Sequence, residues 1–152
     1  MNEADSKRYM DMALEEAEAA LKEGEVPVGA VIVKDGRVLS RGHNHKESTH
    51  DISSHAEIEA IREAGKALGD WDLKGCTLFV TLEPCLMCAG AIEQSRISTL
   101  VYGADDPQEG AITSKRFVFD ASGKSNSPLI YRGVEKDRCQ ALLQDFFYAR
   151  RK

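Results

Sequence analysis

A chain of 152 residues, 42% hydrophobic and 30% charged with only four prolines, excludes the disordered and fibrous classes and predicts one well-buried core, a single domain over residues 1–152. A net charge of −5 excludes a protein that coats nucleic acid by bulk electrostatics but leaves room for a local basic patch. The polar stretch from Met1 to Arg8 and the lack of an apolar run near roughly 20 residues predict neither an export signal nor a membrane span, so the cysteines read as thiols in a reducing, cytoplasmic setting.

Apolar residues at Tyr9, Ala13, Ala17, Ala20 and Leu21, flanked by Met10 and Leu14, follow helical spacing and predict a helix from about Ala4 to Lys22, ended by Gly24. Val26 to Val33 is rich in β-branched residues, Asp35-Gly36 is a two-residue hairpin signal, and Val38 to Ser40 continues as the partner strand. Residues 43–53 lack periodicity and predict a loop, in which His43, His45 and His50 have no ligand partner at i+3 or i+4. A second helix is predicted from about His55 to Leu68, with Ile58, Ile61 and Leu68 in its buried stripe. Cys76 to Leu82 reads as a buried strand of the parallel type, and Pro84 takes the first position of a third helix that ends near Ser95. Thr99 to Tyr102 and Leu129 to Tyr131 are short strands on either side of polar residues 105–127, and Glu135 to Ala149 is the last helix. The alternation gives an α/β fold: a three-layer α/β/α sandwich in which helices cover both faces of a mixed five-stranded sheet.

Two short stretches carry chemistry. Cys85 and Cys88 stand at i and i+3 in a predicted first helical turn, where free N–H groups and the positive helix pole lower thiolate pKa. His55 opens the preceding helix and supplies a nitrogen. Three protein ligands leave a fourth tetrahedral position for water, and zinc lowers the pKa of such a water toward 7. Glu57, two residues beyond His55, is left to take the water's proton and pass it to a leaving amine. Ser54 to Glu57 also has the spacing of a capping box, in which Glu57 would only close its own helix end. A lone C-x-x-C is as often a structural knuckle or a redox pair. Cys76 stands roughly 20 Å along its strand from Cys85, too far to close the site as a fourth ligand. Cys139 reads as a small buried hydrophobe.

Joined in this order, H-x-E and P-C-x-x-C form the known signature of zinc nucleobase deaminases. The chain resembles the cytidine and deoxycytidylate deaminase superfamily, and within it the bacterial tRNA-specific adenosine deaminases. The resemblance is carried by Val26-Pro27-Val28-Gly29-Ala30, by Gly42-His43-Asn44, by Thr81 to Ala91 around the two cysteines, and by Ser95-Arg96-Ile97 and Tyr102-Gly103-Ala104. It implies one Zn²⁺ per chain and a homodimer. It also implies that Asn44 hydrogen-bonds the nucleoside, that the backbone at Val28 and Gly29 lines the base pocket, that the Ala56 amide faces the base, and that Glu83 shapes the pocket. Gly110 to Arg116 and Ser125 to Pro128 depart from the family's small-residue run and its Asn-His-Arg.

The function implied is hydrolytic conversion of adenosine to inosine in a tRNA anticodon loop, with release of ammonia. Deamination of a free nucleobase, nucleoside or nucleotide such as guanine or cytosine is the alternative, because the departing segment lies where relatives surround the base. A non-catalytic zinc module is a third reading, against which Glu57 and the absent fourth ligand weigh. For an RNA target the phosphate-binding cations implied are Lys115, Arg116, Arg150, Arg151 and Lys152. Taken alone, the last three are cations at the negative end of a helix.

Overall fold

A computed structural model describes residues 2–119 and 127–150. The elements in chain order are α1 (Glu3–Lys22), β1 (Gly29–Lys34), β2 (Arg37–His43), α2 (Lys46–Thr49), α3 (Ala56–Leu68), β3 (Thr77–Leu82), α4 (Leu86–Gln94), β4 (Thr99–Ala104), β5 (Leu129–Arg132) and α5 (Lys136–Arg150). The strands form one sheet in the order β2-β1-β3-β4-β5. β1 runs antiparallel to both β2 and β3, whereas β3, β4 and β5 are mutually parallel, so the sheet is mixed as expected. Asp35 and Gly36 both have positive φ, which is the twist a two-residue hairpin between β1 and β2 requires.

Helices α1 and α5 pack on one another, and α3 and α4 do likewise, giving the two outer layers. Glycines set the spacing between layers. A Cβ on Gly42 in β2 would lie 2.6 Å from the Ala56 carbonyl oxygen and 2.8 Å from the Ala60 nitrogen, so α3 rests on β2 backbone to backbone. One residue away in register, Gly29 of β1 is in the same relation to Ala13 and Ala17 of α1. Neighbouring side-chain directions alternate across a strand, which places α1 and α3 on opposite faces. Between the layers the core is one cluster running from Met10 and Ala13 through Val31, Phe79 and Leu100 to Cys139, all essentially buried. No helix among the described residues is long and apolar enough to cross a membrane.

Two local readings need correction, and the capping-box alternative for Glu57 falls away. Residues 46–49 of the expected loop form the one-turn helix α2, because the buried Glu25 accepts the N–H groups of Glu47 at 3.0 Å and Ser48 at 2.7 Å. Pro84 lies outside α4, whose N-cap is Cys85. The Ser54–Glu57 capping box does not form, since His55 is the N-cap of α3 and the Ser54 hydroxyl instead meets Thr49.

Burial by itself would raise the Glu25 carboxyl; the two backbone donors, the Ser48 side chain and the nearby His45 outweigh it and hold the carboxyl below the usual range. A depressed carboxyl stabilises the fold above its ordinary titration range, and that contribution disappears as pH falls through the lowered folded value. Glu25→Gln should therefore cost about 1–3 kcal/mol near neutral pH and much less in acid. Urea unfolding of both proteins at the two pH values checks this, and an equal cost at each would contradict the assignment.

Candidate active site

The parallel strands β3 and β4 point their carboxyl ends at the same edge of the sheet, the place where open α/β sheets assemble ligand sites. The chain leaves β3 through Glu83 and Pro84 and turns into α4 at Cys85; α3 starts beside it at His55. Neither N-cap side chain makes a capping hydrogen bond. They turn toward each other instead. His55 Nδ1 lies 3.7 Å from Cys85 Sγ and 3.5 Å from Cys88 Sγ, and the three ligand atoms fall within 4.8 Å of one another. A tetrahedral zinc with bonds of about 2.0–2.1 Å to nitrogen and about 2.3 Å to sulfur separates such atoms by roughly 3.6 Å. The donor set and its spacing therefore fit the ion without rearrangement. Cys76 and Cys139 are buried elsewhere in the core, and neither joins the cluster.

Without a metal the three groups share protons unequally. The Cys88 thiol donates to Cys85, and with His55 alongside it brings Cys85 down to about 4, a thiolate at neutral pH. That hydrogen bond and burial hold the Cys88 proton on. His55 is raised, chiefly by its bond with Cys85. Glu57, at the second helical position of α3 and only 4% exposed, is pushed up to about 7 by burial. A carboxyl that changes protonation near neutral pH can both take and return a proton.

Asn44 is buried at the end of β2; its N–H donates to the Val28 carbonyl at 3.3 Å and its Oδ1 accepts the Lys46 N–H at 3.1 Å. Asn44, Val28 and Gly29 are thus brought to one side, where the Gly29 N–H also donates to Thr81 Oγ1 at 3.1 Å. Ala56 is fully buried in the first turn of α3, between His55 and Glu57. Glu83 proves to be an organiser. Its buried carboxylate accepts the N–H groups of Asp106, Ile112, Thr113 and Ser114 and the Ser114 hydroxyl. Burial would raise this carboxyl, yet those donors keep it below the usual range. Residues 106–114 are thereby fixed against the chain entering α4, and the Ala111 N–H donates to the Pro84 carbonyl at 2.9 Å.

The expected cations are placed unequally. Lys115 and Arg116 stand exposed at the end of the loop that Glu83 holds, Lys115 being 3.9 Å from Glu109. Arg150 is committed to the fold: it donates to the Gly24 carbonyl at 2.6 Å and sits 4.3 Å over the Phe146 ring. Arg151 and Lys152, like Ser125 and Asn126 of the departing segment, lie outside the described residues. A cavity of about 830 Å³ opens between residues 105–109 and α5, but none of His55, Glu57, Cys85, Cys88 or Asn44 lines it. Asp105, Asp106, Glu109 and Asp145 do, which makes it a poor home for phosphate.

Sequence reasoning misses Ser114, Thr113 and Glu25, whose roles depend on contacts between segments far apart in the chain. It also leaves His43 and His45 as isolated loop residues, although their i, i+2 spacing is a signal that they share a side. In the fold their ring centroids lie 4.2 Å apart at a tilt of 39°, and both meet Glu23.

Comparison with known proteins agrees with this geometry. Residues 4–151 match the MafB19-like deaminase family. The tRNA-specific adenosine deaminase of Agrobacterium fabrum (strain C58) is 43% identical over 148 residues, covering 97% of each chain. The tRNA-specific adenosine deaminase of Bacillus subtilis (strain 168) is 42% identical over 144 residues, covering 95% of this chain and 89% of its own. A solved structure from work on A-to-I editing by tRNA:A34 deaminases at the wobble position superposes with a TM-score of 0.86 and 44% identity, over 90% of this chain and 99% of that one. The chain is thus a hydrolytic deaminase acting on a C–N bond, a member of the MafB19-like deaminase family.

Proposed function

We propose that this chain, as a single cytoplasmic deaminase domain, converts adenosine to inosine in the anticodon loop of a tRNA. The observation that carries the reading is the buried Glu57 carboxyl beside a His55–Cys85–Cys88 set already spaced for zinc. Two relatives above 40% identity named tRNA-specific adenosine deaminase favour the RNA substrate over a free base.

In the overall reaction water adds to the amino-bearing carbon of the purine, the C–N bond breaks, and ammonia leaves. Zinc, held by His55, Cys85 and Cys88, would supply Lewis-acid activation of water. The chain's own residues do the rest. Glu57 removes a proton from the attacking water and delivers it to the departing amine. Asn44, with its Oδ1 occupied by the Lys46 N–H, offers its amide nitrogen to the nucleoside. The backbone at Val28 and Gly29 and the Ala56 N–H bound the base. Glu83 keeps the surrounding loop closed over it. A target adenosine must leave its stack to reach this depth.

Leu86 and Met87 lie exposed on α4 beside Cys85, and in this reading a second copy of the chain covers them. Sedimentation velocity should then give a dimer, and Met87→Asp a monomer.

Glu57→Gln should keep fold and zinc and lose deamination by at least about 100-fold, because an amide cannot carry the proton. Cys88→Ser should lose zinc as well. Zinc analysis and turnover of an anticodon stem-loop separate the two, and near-normal turnover in Glu57→Gln would remove the proton-carrier role.

Removing one phosphate-binding cation should flatten the slope of log affinity against log salt by about 0.7 for a single-stranded target. Arg116→Ala is expected to show that change alone. Arg150→Ala should also lower thermal stability, since its bond to Gly24 goes with it. Efficient turnover of a free base or nucleoside, with the stem-loop ignored, would transfer the assignment to the small-molecule alternative.

A further inference from the structure

His43 and His45 flank Asn44, and their side chains converge on a single carboxylate. His43 Nε2 lies 3.1 Å from Glu23 Oε2, and His45 Nε2 lies 3.2 Å from Glu23 Oε1. Each ring is held from behind by another carboxylate: His43 Nδ1 is 2.8 Å from Glu16 Oε1, and His45 Nδ1 is 2.6 Å from Glu59 Oε2. A neutral ring that donates its Nδ1 proton to a carboxylate presents a lone pair at Nε2. Both Nε2 lone pairs then face the oxygens of Glu23, which are acceptors too. In that state acceptors face acceptors, a clash relieved either by a second proton on each ring or by one metal cation between the three groups.

The protons would charge both rings, whose centroids lie 4.2 Å apart at a tilt of 39°, and although burial opposes a charge on His43, Glu16 and Glu23 raise it above its usual range. One dication satisfies all three groups while the rings stay neutral. The spacing agrees, because bonds of about 2.0–2.1 Å in a tetrahedral zinc site separate nitrogen and oxygen ligands by roughly 3.3 Å. Imidazoles oriented by a carboxylate on the far nitrogen are the arrangement metal sites use to fix tautomer and ring direction. Charge balance points the same way: Glu16, Glu23 and Glu59 surround the rings, Glu25 lies close to His45, and Arg41, 3.7 Å from Glu16, is the cation at the edge.

We propose that Glu23, His43 and His45 form a second metal site for a borderline divalent ion such as Zn²⁺, separate from the His55–Cys85–Cys88 set, which clamps the end of α1 to the segment bearing Asn44. Two imidazoles and one carboxylate suit ions of the zinc class and not calcium or magnesium. The assignment does not depend on which nucleobase is deaminated.

The test is zinc stoichiometry of the holoenzyme after equilibration with excess Zn²⁺ and gel filtration. Wild type should retain about two ions per chain and Glu23→Gln about one. Glu23 is an exposed helix C-cap, so this variant is expected to fold; His45→Ala should give the same loss. Cys88→Ser should keep the ion at the new site while losing the other, which separates failure of this inference from failure of the active-site reading. Ring proton resonances of His43 and His45 should shift with Zn²⁺ in wild type and not in Glu23→Gln. One ion per chain in wild type, two that survive Glu23→Gln, or rings that titrate with pH and ignore Zn²⁺ would overturn the proposal.

Discussion

Two helix N-termini meet at one point, and the residues that should cap them face each other instead. His55 and Cys85 are both N-caps, and neither side chain makes a capping hydrogen bond. An absent cap costs a helix on the order of 1 kcal/mol, so α3 and α4 each carry a local penalty where the chemistry sits. The parallel β3–β4 pair and the packing of α3 on α4 hold the two ends together despite it. Where local preference and tertiary geometry disagree, the disagreement marks the site.

Buried carboxylates serve the surroundings in a repeated way. Glu25 collects the first N–H groups of α2, and Glu83 collects those of residues 106–114. Each turns a stretch without a hydrophobic period of its own into fixed structure near the site. Neither is a catalytic residue, because neither reaches the reacting atoms. Their charge is satisfied mostly by backbone donors, but the Glu83 loop also needs the Ser114 hydroxyl and a glycine at 110, where a Cβ would lie 2.4 Å from the Glu83 carboxyl carbon. The loop so held closes against Pro84 through the Ala111 N–H.

The five strands, the long helices and the ligand set are all legible in the sequence, because each has a local signature: β-branched runs, helical period, and metal-binding spacing. Ser54 misleads as a cap for a physical reason. Its S-x-x-E spacing is satisfied in sequence, but His55 is carried toward Cys85 and shifts the helix start by one residue. Pro84 misleads similarly, since Cys85 takes the cap and leaves the proline outside the helix. α2 is invisible because its stabilising group, Glu25, lies more than twenty residues away in sequence. The His43–His45 pair escapes notice for the same cause: its three carboxylates come from α1 and α3, and no spacing within 43–53 announces them.

The contact between Gly42 and the first turn of α3 has a bearing on how this protein tolerates change. α3 is seated on β2 through a glycine and through Ala56 and Ala60, so its height above the sheet is set by the thickness of two backbones. The Ser40 hydroxyl adds to the seat by donating to the Ala60 carbonyl at 2.7 Å. Substitutions that repack Ile32, Leu78 or Leu100 act on that seat less directly than a change at residue 42, where backbone meets backbone. Robustness to drift and fidelity of the ligand geometry thus come from the same feature, and both vanish together if a single methyl group is added at residue 42.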